Sequence, residues 1–206
     1  GQWDAFVQAS PSASFYHRFA WKKINEETLG HRAFFLAALD GTRLAGVFPI
    51  VQVKSRLFGN LACSMPFVNF GGPSAETPDV ERLLVAEARD LCRERSVEYL
   101  EIRSRHDLGS ELPSFLGKVS LGVALDRDPE VLFKAFKTGH RQEIRKGYKN
   151  GLTARVGGVD LLEPFYAVLT ESMHALGTPF YRKQLFADIL ATFPESTRIV
   201  VVFSGD

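Results

Sequence analysis

Apolar and polar positions alternate along the chain in two registers, one helical and one extended. In residues 15–29, FYHRFAWKKINEETL, the residues Phe15, Phe19, Trp21, Ile24 and Leu29 recur at roughly helical intervals among charges. This predicts one amphipathic helix stopped by Gly30, with His17 and Trp21 one turn apart. Next, AFFLAALDGTRLAGVFPIVQV reads as two strands joined at Asp40-Gly41, a strong hairpin signal. A third strand is expected over residues 62–67. Residues 78–95 predict a helix capped by Thr77, with Pro78 in its first position, Asp79 and Glu81 at its start, and Arg93 and Arg95 at its end. Its buried face would hold Val80, Leu84, Ala88, Leu91 and Cys92. Residues 97–103, VEYLEIR, predict another strand.

After the polar stretch SRHDLGSELPS, the elements begin again. Strands are expected over 118–125, 152–156 and 198–203, and helices over 161–175 and 183–192. Another helix opens at Asp128-Pro129-Glu130 and either runs on to Asn150-Gly151 or breaks at Gly139. The halves echo each other: PFYAVLTESMHALG starts like SFYHRFAWKKINEETLG, and FFLAALDG matches IVVVFSGD. The expected organisation is a complete first domain, residues 1–117, and the front part of a second, related one, residues 118–206.

Composition narrows the chemistry. The 206 residues carry a net charge of +1, so bulk polyanion binding is excluded and any nucleic-acid contact must be local; DNA is not an expected partner. Two cysteines give neither a disulfide framework nor a thiolate metal site, and the five histidines lack metal-ligand spacing. No bound metal is expected. The sparse cysteines lead us to expect a reduced, cytoplasmic location; no stretch is apolar enough to span a bilayer, and no secretory signal is read at the start. No P-loop, GxGxxG, HExxH, GxSxG or CxxC motif is present.

The order helix, helix, hairpin, strand, helix, strand predicts an α/β fold of the α+β kind: an acetyltransferase-like mixed sheet flanked by helices, duplicated, with the second copy truncated. In that fold a glycine-rich loop at a helix N-terminus holds the coenzyme A pyrophosphate. Here the equivalent loop is NFGGPSAETPDVE. Pro73 and Pro78 remove amide donors, and Glu76, Asp79 and Glu81 bring negative charge, so the first unit is not expected to bind coenzyme A in the usual way.

Candidate site residues follow from position and type. Glu101 and Arg103 fall on one side of a strand, as a base with an anion clamp or as a plain salt bridge. Glu101 is the catalytic candidate the residues offer. Asn69, in the aromatic SMPFVNFGG loop, either binds a substrate or holds the turn. The segment TGHRQEIRKGYKNG contains His140, Arg141, Arg145, Lys146 and Lys149. With Lys134 and Lys137 it forms a cationic stripe that is a solvated face, a phosphate- or nucleic-acid-binding surface, or a fold-stabilising element.

The pieces SFYHRFAW, LAGVFPIVQVKSRLFGN, SMPFVNFGGP, YLEIRS, KVSLGVALDRDPEVLFKAFKTGHRQEIRKGYKNGL and FYAVLTESMHALGTP, in this order, resemble the Fem family of aminoacyl- and peptidyl-transferases. They are most like the Fem-like proteins associated with exosortase/PEP-CTERM systems and exopolysaccharide clusters. The resemblance implies two acetyltransferase-like domains and transfer of an acyl or aminoacyl group to an amine without a covalent enzyme intermediate. It implies acyl-coenzyme A or aminoacyl-tRNA as donor, with no tightly bound cofactor. The implied acceptor is a small-molecule or lipid-linked envelope precursor, met at the inner face of the membrane. The Arg-x-x-Ile-Arg-Lys run, here Arg141, Ile144, Arg145 and Lys146, matches the family's element entering the second domain. The alternative is a non-catalytic protein of the same fold that binds a glycan or lipid-linked precursor.

Overall fold

The structure, a computed structural model, describes residues 1–206 except Phe58, Ser110, Glu111, Leu116, Lys118 and Asp206. The chain divides into two compact units, Gly1–Pro113 and Ser114–Asp206.

The first unit is built on a mixed sheet. Helix α1 (Gln2–Ala9) precedes a 3₁₀ turn (Phe15–His17), and α2 (Trp21–Lys23) runs directly into a π turn (Ile24–Thr28). The single helix expected over 15–29 is therefore broken, and His17 and Trp21 do not share a helical face. The cause is local competition for amides. Tyr16 N–H donates to Ser14 Oγ at 3.2 Å and Phe19 N–H to Asp4 Oδ1 at 2.9 Å, so these donors never enter a helical ladder.

Strands β1 (Arg32–Asp40) and β2 (Arg43–Ser55) form the expected hairpin, with Gly41 at φ +61° supplying the left-handed turn residue. The sheet order is β1-β2-β3-β5, where β3 is Gly59–Cys63, β5 is Tyr99–Glu101, and the short β4 (Ser74–Ala75) pairs with β2. β3 lies parallel to β5, and the other pairs are antiparallel. Pro49, which has no N–H to give, falls between the β2 residues that pair with β4 (46–47) and those that pair with β3 (51–55).

Two of the expected strands differ. The strand placed at 62–67 ends at Cys63, because Met65 (φ +53°) and Phe67 (φ +70°) turn out of extended geometry on either side of Pro66. The strand placed at 97–103 is trimmed to Tyr99–Glu101.

Helix α3 (Pro78–Glu94) is the most legible element. Thr77 Oγ1 accepts from Val80 N–H, and Leu84, Val85, Ala88 and Cys92 are buried. They pack on Phe48, Ile50 and Ala62, with Phe34, Leu36 and Ala38 around them. Gly46 lets α3 approach the sheet, since a Cβ there would sit 2.9 Å from both Leu84 and Val80. The other sheet face, carrying buried Val47 and Val51, is covered by the N-terminal segment, with Trp3 tilted against Phe35 at 5.2 Å. A sheet buried on both faces explains why β2 reads as a continuous apolar run.

In the second unit, α4 (Pro129–Ala135) is capped by Asp128, whose side chain accepts from Glu130 N–H. Helix α5 (Thr138–Lys149) follows. The break falls at Phe136 and Lys137, both extended, and not at Gly139, which lies inside α5. The strand expected over 118–125 does not form: Val119, Leu121, Val123 and Leu125 are all exposed, and Lys118 lies outside the described residues. Alternation specifies a strand only where a partner strand takes its amides. Gly151, at φ +78°, closes α5. β6 (Leu152–Gly157) pairs antiparallel with β7 (Ile199–Ser204). Helices α6 (Leu162–Ala175) and α7 (Lys183–Thr192) pack on this pair through Leu161, Leu162, Leu190, Ile199 and Val201. The fold is the expected mixed α/β arrangement of sheet and flanking helices.

Candidate functional site

The loop after β3 and the segment after β5 fold onto each other, and Arg103 joins them. Its N–H donates to Ser64 Oγ at 2.7 Å, and its carbonyl accepts from Gly71 N–H and Gly72 N–H at 3.2 and 3.1 Å. Its guanidinium donates through Nε to Glu101 Oε1 at 2.7 Å and through Nη1 to Val68 O at 2.8 Å. The two residues expected on one side of a strand are thus an ion pair, and one of them also supports the loop. Asn69 lies beside Val68 at the exposed tip. The structure therefore brings Glu101 and Arg103 together, while Asn69 is placed only as the exposed neighbour of Val68. Met65 and Phe67 hold the loop in left-handed backbone, the kind of local strain that marks functional segments. Phe67 stacks on His31, and the Arg105 guanidinium sits 4.7 Å above the Phe70 ring.

His17 fastens this loop to the N-terminal segment. The ring is buried; Nε2–H donates to Gly72 O at 2.7 Å, and Nδ1 accepts from Ser14 N–H at 3.0 Å. Both nitrogens are committed in the neutral tautomer, so His17 has no lone pair for an incoming substrate. Burial holds its pKa below the ordinary value of 6.5; the bonds to Gly72 and Ser14 oppose this and the nearby Arg105 charge adds to it. The unfolded chain therefore takes up more protons just below pH 6.5, and stability should fall as pH drops through that value. His31, also held low by burial, acts in the same direction. Thermal midpoints measured from pH 8 to pH 5.5 should fall less steeply for His17→Gln than for the parent; parallel curves would disprove the assignment.

A cavity of about 430 Å³ lies at the N-terminus of α3, lined by Ser12, Glu76, Thr77, Glu81, Arg82 and His106 among others. Residues 75–78 and 81–82 of its lining include part of the loop expected to be equivalent to the pyrophosphate loop, and the donors there suit an anion poorly. Pro78 has no N–H, while Glu76 N–H donates to Ala45 O, Val80 N–H to Thr77 Oγ1, and Glu81 N–H to Thr77 O. Carboxylates line the same hollow, and Glu81 is bound to His106 Nε2 at 2.8 Å. A smaller hollow, lined by Ser14, His17, Gly72, Arg103, Ser104 and Arg105 among others, shares Ser12 and His106 with it. Cys63 is no nucleophile, since burial pushes its thiol up to about 12. Among the described residues no group of three His, Cys, Asp or Glu side chains is placed to hold a metal.

The remaining predicted residues lie on α5 of the second unit. Arg141 donates to Lys134 O and Thr138 Oγ1, both at 3.1 Å, and so caps the end of α4. Arg145 lies 5.4 Å over the Phe133 ring. Lys146 is exposed, 4.0 Å from Glu143. The two arginines thus brace the α4–α5 elbow, while Lys134, Lys137, Lys146 and Lys149 point into solvent. Sequence reasoning missed the His17–Gly72 contact and the hydroxyl triangle of Ser10, Ser12 and Ser74, with O–O distances of 2.8 to 3.1 Å. Neither has a local spacing signal, because Gly72 and Ser74 lie more than fifty residues from His17 and from the Ser10–Ser12 pair.

No protein-family model matches the sequence, and no curated protein matches it. Among solved structures the chain is similar to one titled "Crystal structure of FemX", with a TM-score of 0.67 at 15% sequence identity. The match covers 98% of this chain and 55% of that one, so the chain spans about half the length of its structural neighbour. At this identity the likeness shows the fold.

Proposed function

We infer that the chain belongs to a Fem-type transferase that moves an acyl or aminoacyl group onto an amine acceptor in cell-envelope assembly. The observation that carries this reading is the likeness to FemX along 98% of the chain. In the reaction the amine nitrogen attacks the acyl carbonyl, the new C–N bond forms, and the ester or thioester bond to the donor breaks. The amine loses one proton and the leaving group gains one. Such a transfer needs alignment, a proton route and charge stabilisation more than a nucleophile. The raised Cys63 thiol and the committed nitrogens of His17 support a direct transfer.

Each candidate residue takes a role consistent with its surroundings. Arg103 holds Glu101 by one carboxylate oxygen, leaving Oε2 to accept the amine proton. Asn69 on the supported loop contacts the acceptor. On α5, Arg141, Arg145 and Lys146 meet the phosphates of the donor or of a phosphate-bearing acceptor. The blocked pyrophosphate cradle at α3 favours aminoacyl-tRNA over acyl-coenzyme A as donor for this part of the protein.

Binding separates these roles. Charged tRNA should raise the thermal midpoint and acetyl-coenzyme A should not. Lys146→Ala should weaken tRNA binding several-fold at an unchanged midpoint, since Lys146 is exposed. Arg141→Ala should lower both, because it also frees Lys134 O. Stabilisation by a nucleotide-linked peptidoglycan or exopolysaccharide precursor, with no response to either donor, would replace the transferase reading with that of a binding protein.

A further inference from the structure

We propose that the open edge of the first unit's sheet pairs with the same edge of a second copy of this chain, β1 against β1, about a two-fold axis at Leu36. β1 ends the sheet order β1-β2-β3-β5, and among the described residues its backbone bonds only to β2. A free edge is a template for another strand, and proteins guard such edges with charge, proline or a bulge. β1 has none of these between its ends. Residues 33–39, AFFLAAL, are all apolar, and the irregularity of the hairpin falls on β2, where Ala45 has no partner on β1.

The ends of the strand identify its partner. Arg32 and Asp40 close β1, and both are exposed. Arg32 has no ion pair among the described residues, and Asp40 gives one oxygen to Arg43, which Glu76 also holds. Antiparallel pairing centred on Leu36 sets Arg32 of each copy opposite Asp40 of the other, so the strand complements itself at both ends. It also sets Phe34 opposite Ala38 and Phe35 opposite Ala37. Paired residues share a face, so Phe34, Leu36 and Ala38, which pack toward α3, stay on the α3 side in both copies. A one-residue slip would exchange the faces of one copy and separate the charges. Phe35 gains Leu39 of the second copy as a diagonal neighbour, and Leu39 is 62% exposed in the single chain. The far edge of the sheet, β5, is only three residues long, so each copy has one such edge and the assembly closes as a dimer.

The pairing uses no residue assigned to transfer, so it stands or falls apart from the transferase reading. In analytical ultracentrifugation the mass of the 206-residue chain should rise with concentration toward twice that of one chain. Ala37→Lys should stay single throughout with its circular dichroism unchanged, because Ala37 is exposed and the new ammonium group would meet Phe35 of the second copy. Arg32→Glu and Asp40→Lys each set like charges opposite at both ends, and each should weaken self-association about tenfold at low salt. An equimolar mixture of these two variants should regain the parent's dimer, since both end pairs are then opposite in charge. Within one chain Arg32 and Asp40 stand at opposite ends of a nine-residue strand, about 26 Å apart, so that recovery arises only between chains.

A chain that stays single at every concentration overturns the proposal. So does a dimer that survives Ala37→Lys, which must use another surface, and so does a mixture that fails to recover, which pairs in another register. Hydrogen exchange covers the remaining occupant. Protection of the outer β1 amides should grow with protein concentration; protection that is the same at every concentration would show the edge covered within one chain, and would overturn the proposal as well.

Discussion

Phe48→Ala should lower the unfolding free energy of the first unit by about 3–5 kcal/mol, the cost of emptying a well-packed aromatic site. Phe48 is fully buried and lies at the middle of β2, where it meets Leu36 across the hairpin and Leu84, Val85 and Ala88 of α3. The lost side chain leaves a void between two layers that cannot close, because β2 is held by β1 on one side and by β3 and β4 on the other. Tryptophan fluorescence isolates the effect. Both tryptophans of the chain, Trp3 and Trp21, belong to the first unit, so a denaturant titration followed by their emission reports that unit alone. Phe48→Leu should recover most of the loss, since it restores apolar volume without new polarity. A midpoint for Phe48→Ala close to that of the parent would mean that this core does not hold the unit together.

What the sequence made legible follows from where each element's information resides. Helix α3 carried its own start signals at Thr77 and Pro78 and an unbroken apolar stripe, and the hairpin carried Asp40-Gly41; both formed as expected. Residues 15–29 have a helical stripe too, yet the Asp4 carboxylate, from another helix, takes the Phe19 amide. No window around Phe19 contains that information. Residues 119–125 show the converse, a strand pattern that pairs with no strand among the described residues. In the second unit the sequence offered either one continuous helix or a break at the residue of low helical propensity, Gly139. The break falls instead at Phe136 and Lys137, where the Arg141 side chain satisfies the freed Lys134 carbonyl. The loop site divides the same way. The spacing of Glu101 and Arg103 anticipated their contact, but the backbone bonds of Arg103 to Ser64, Gly71 and Gly72 depend on β3 and β5 lying side by side.

Those backbone bonds make Gly71 the position where the smallest side-chain change should do the most damage to the candidate site. A Cβ at residue 71 would stand 2.5 Å from the Met65 Cβ and 2.9 Å from the Ser64 carbonyl oxygen. Neither can retreat. Met65 is fully buried in left-handed backbone, and Ser64 is tied to β5 by its N–H to Glu101 O at 2.9 Å. Gly71→Ala must therefore move the loop, breaking the bonds of Gly71 and Gly72 to Arg103 O, at a cost of about 3 kcal/mol, the upper part of the range for overpacking. Asn69→Ala supplies the contrast, since Asn69 is exposed at the loop tip. It should leave the fluorescence-monitored midpoint unchanged while weakening acceptor binding, whereas Gly71→Ala should lower both. If Gly71→Ala lowered stability but left acceptor binding intact, the loop would be a structural brace and the acceptor would have to be sought elsewhere. If it lowered neither, the close approach of residues 65 and 71, and with it the loop geometry on which Asn69 and Arg103 were placed, would be wrong.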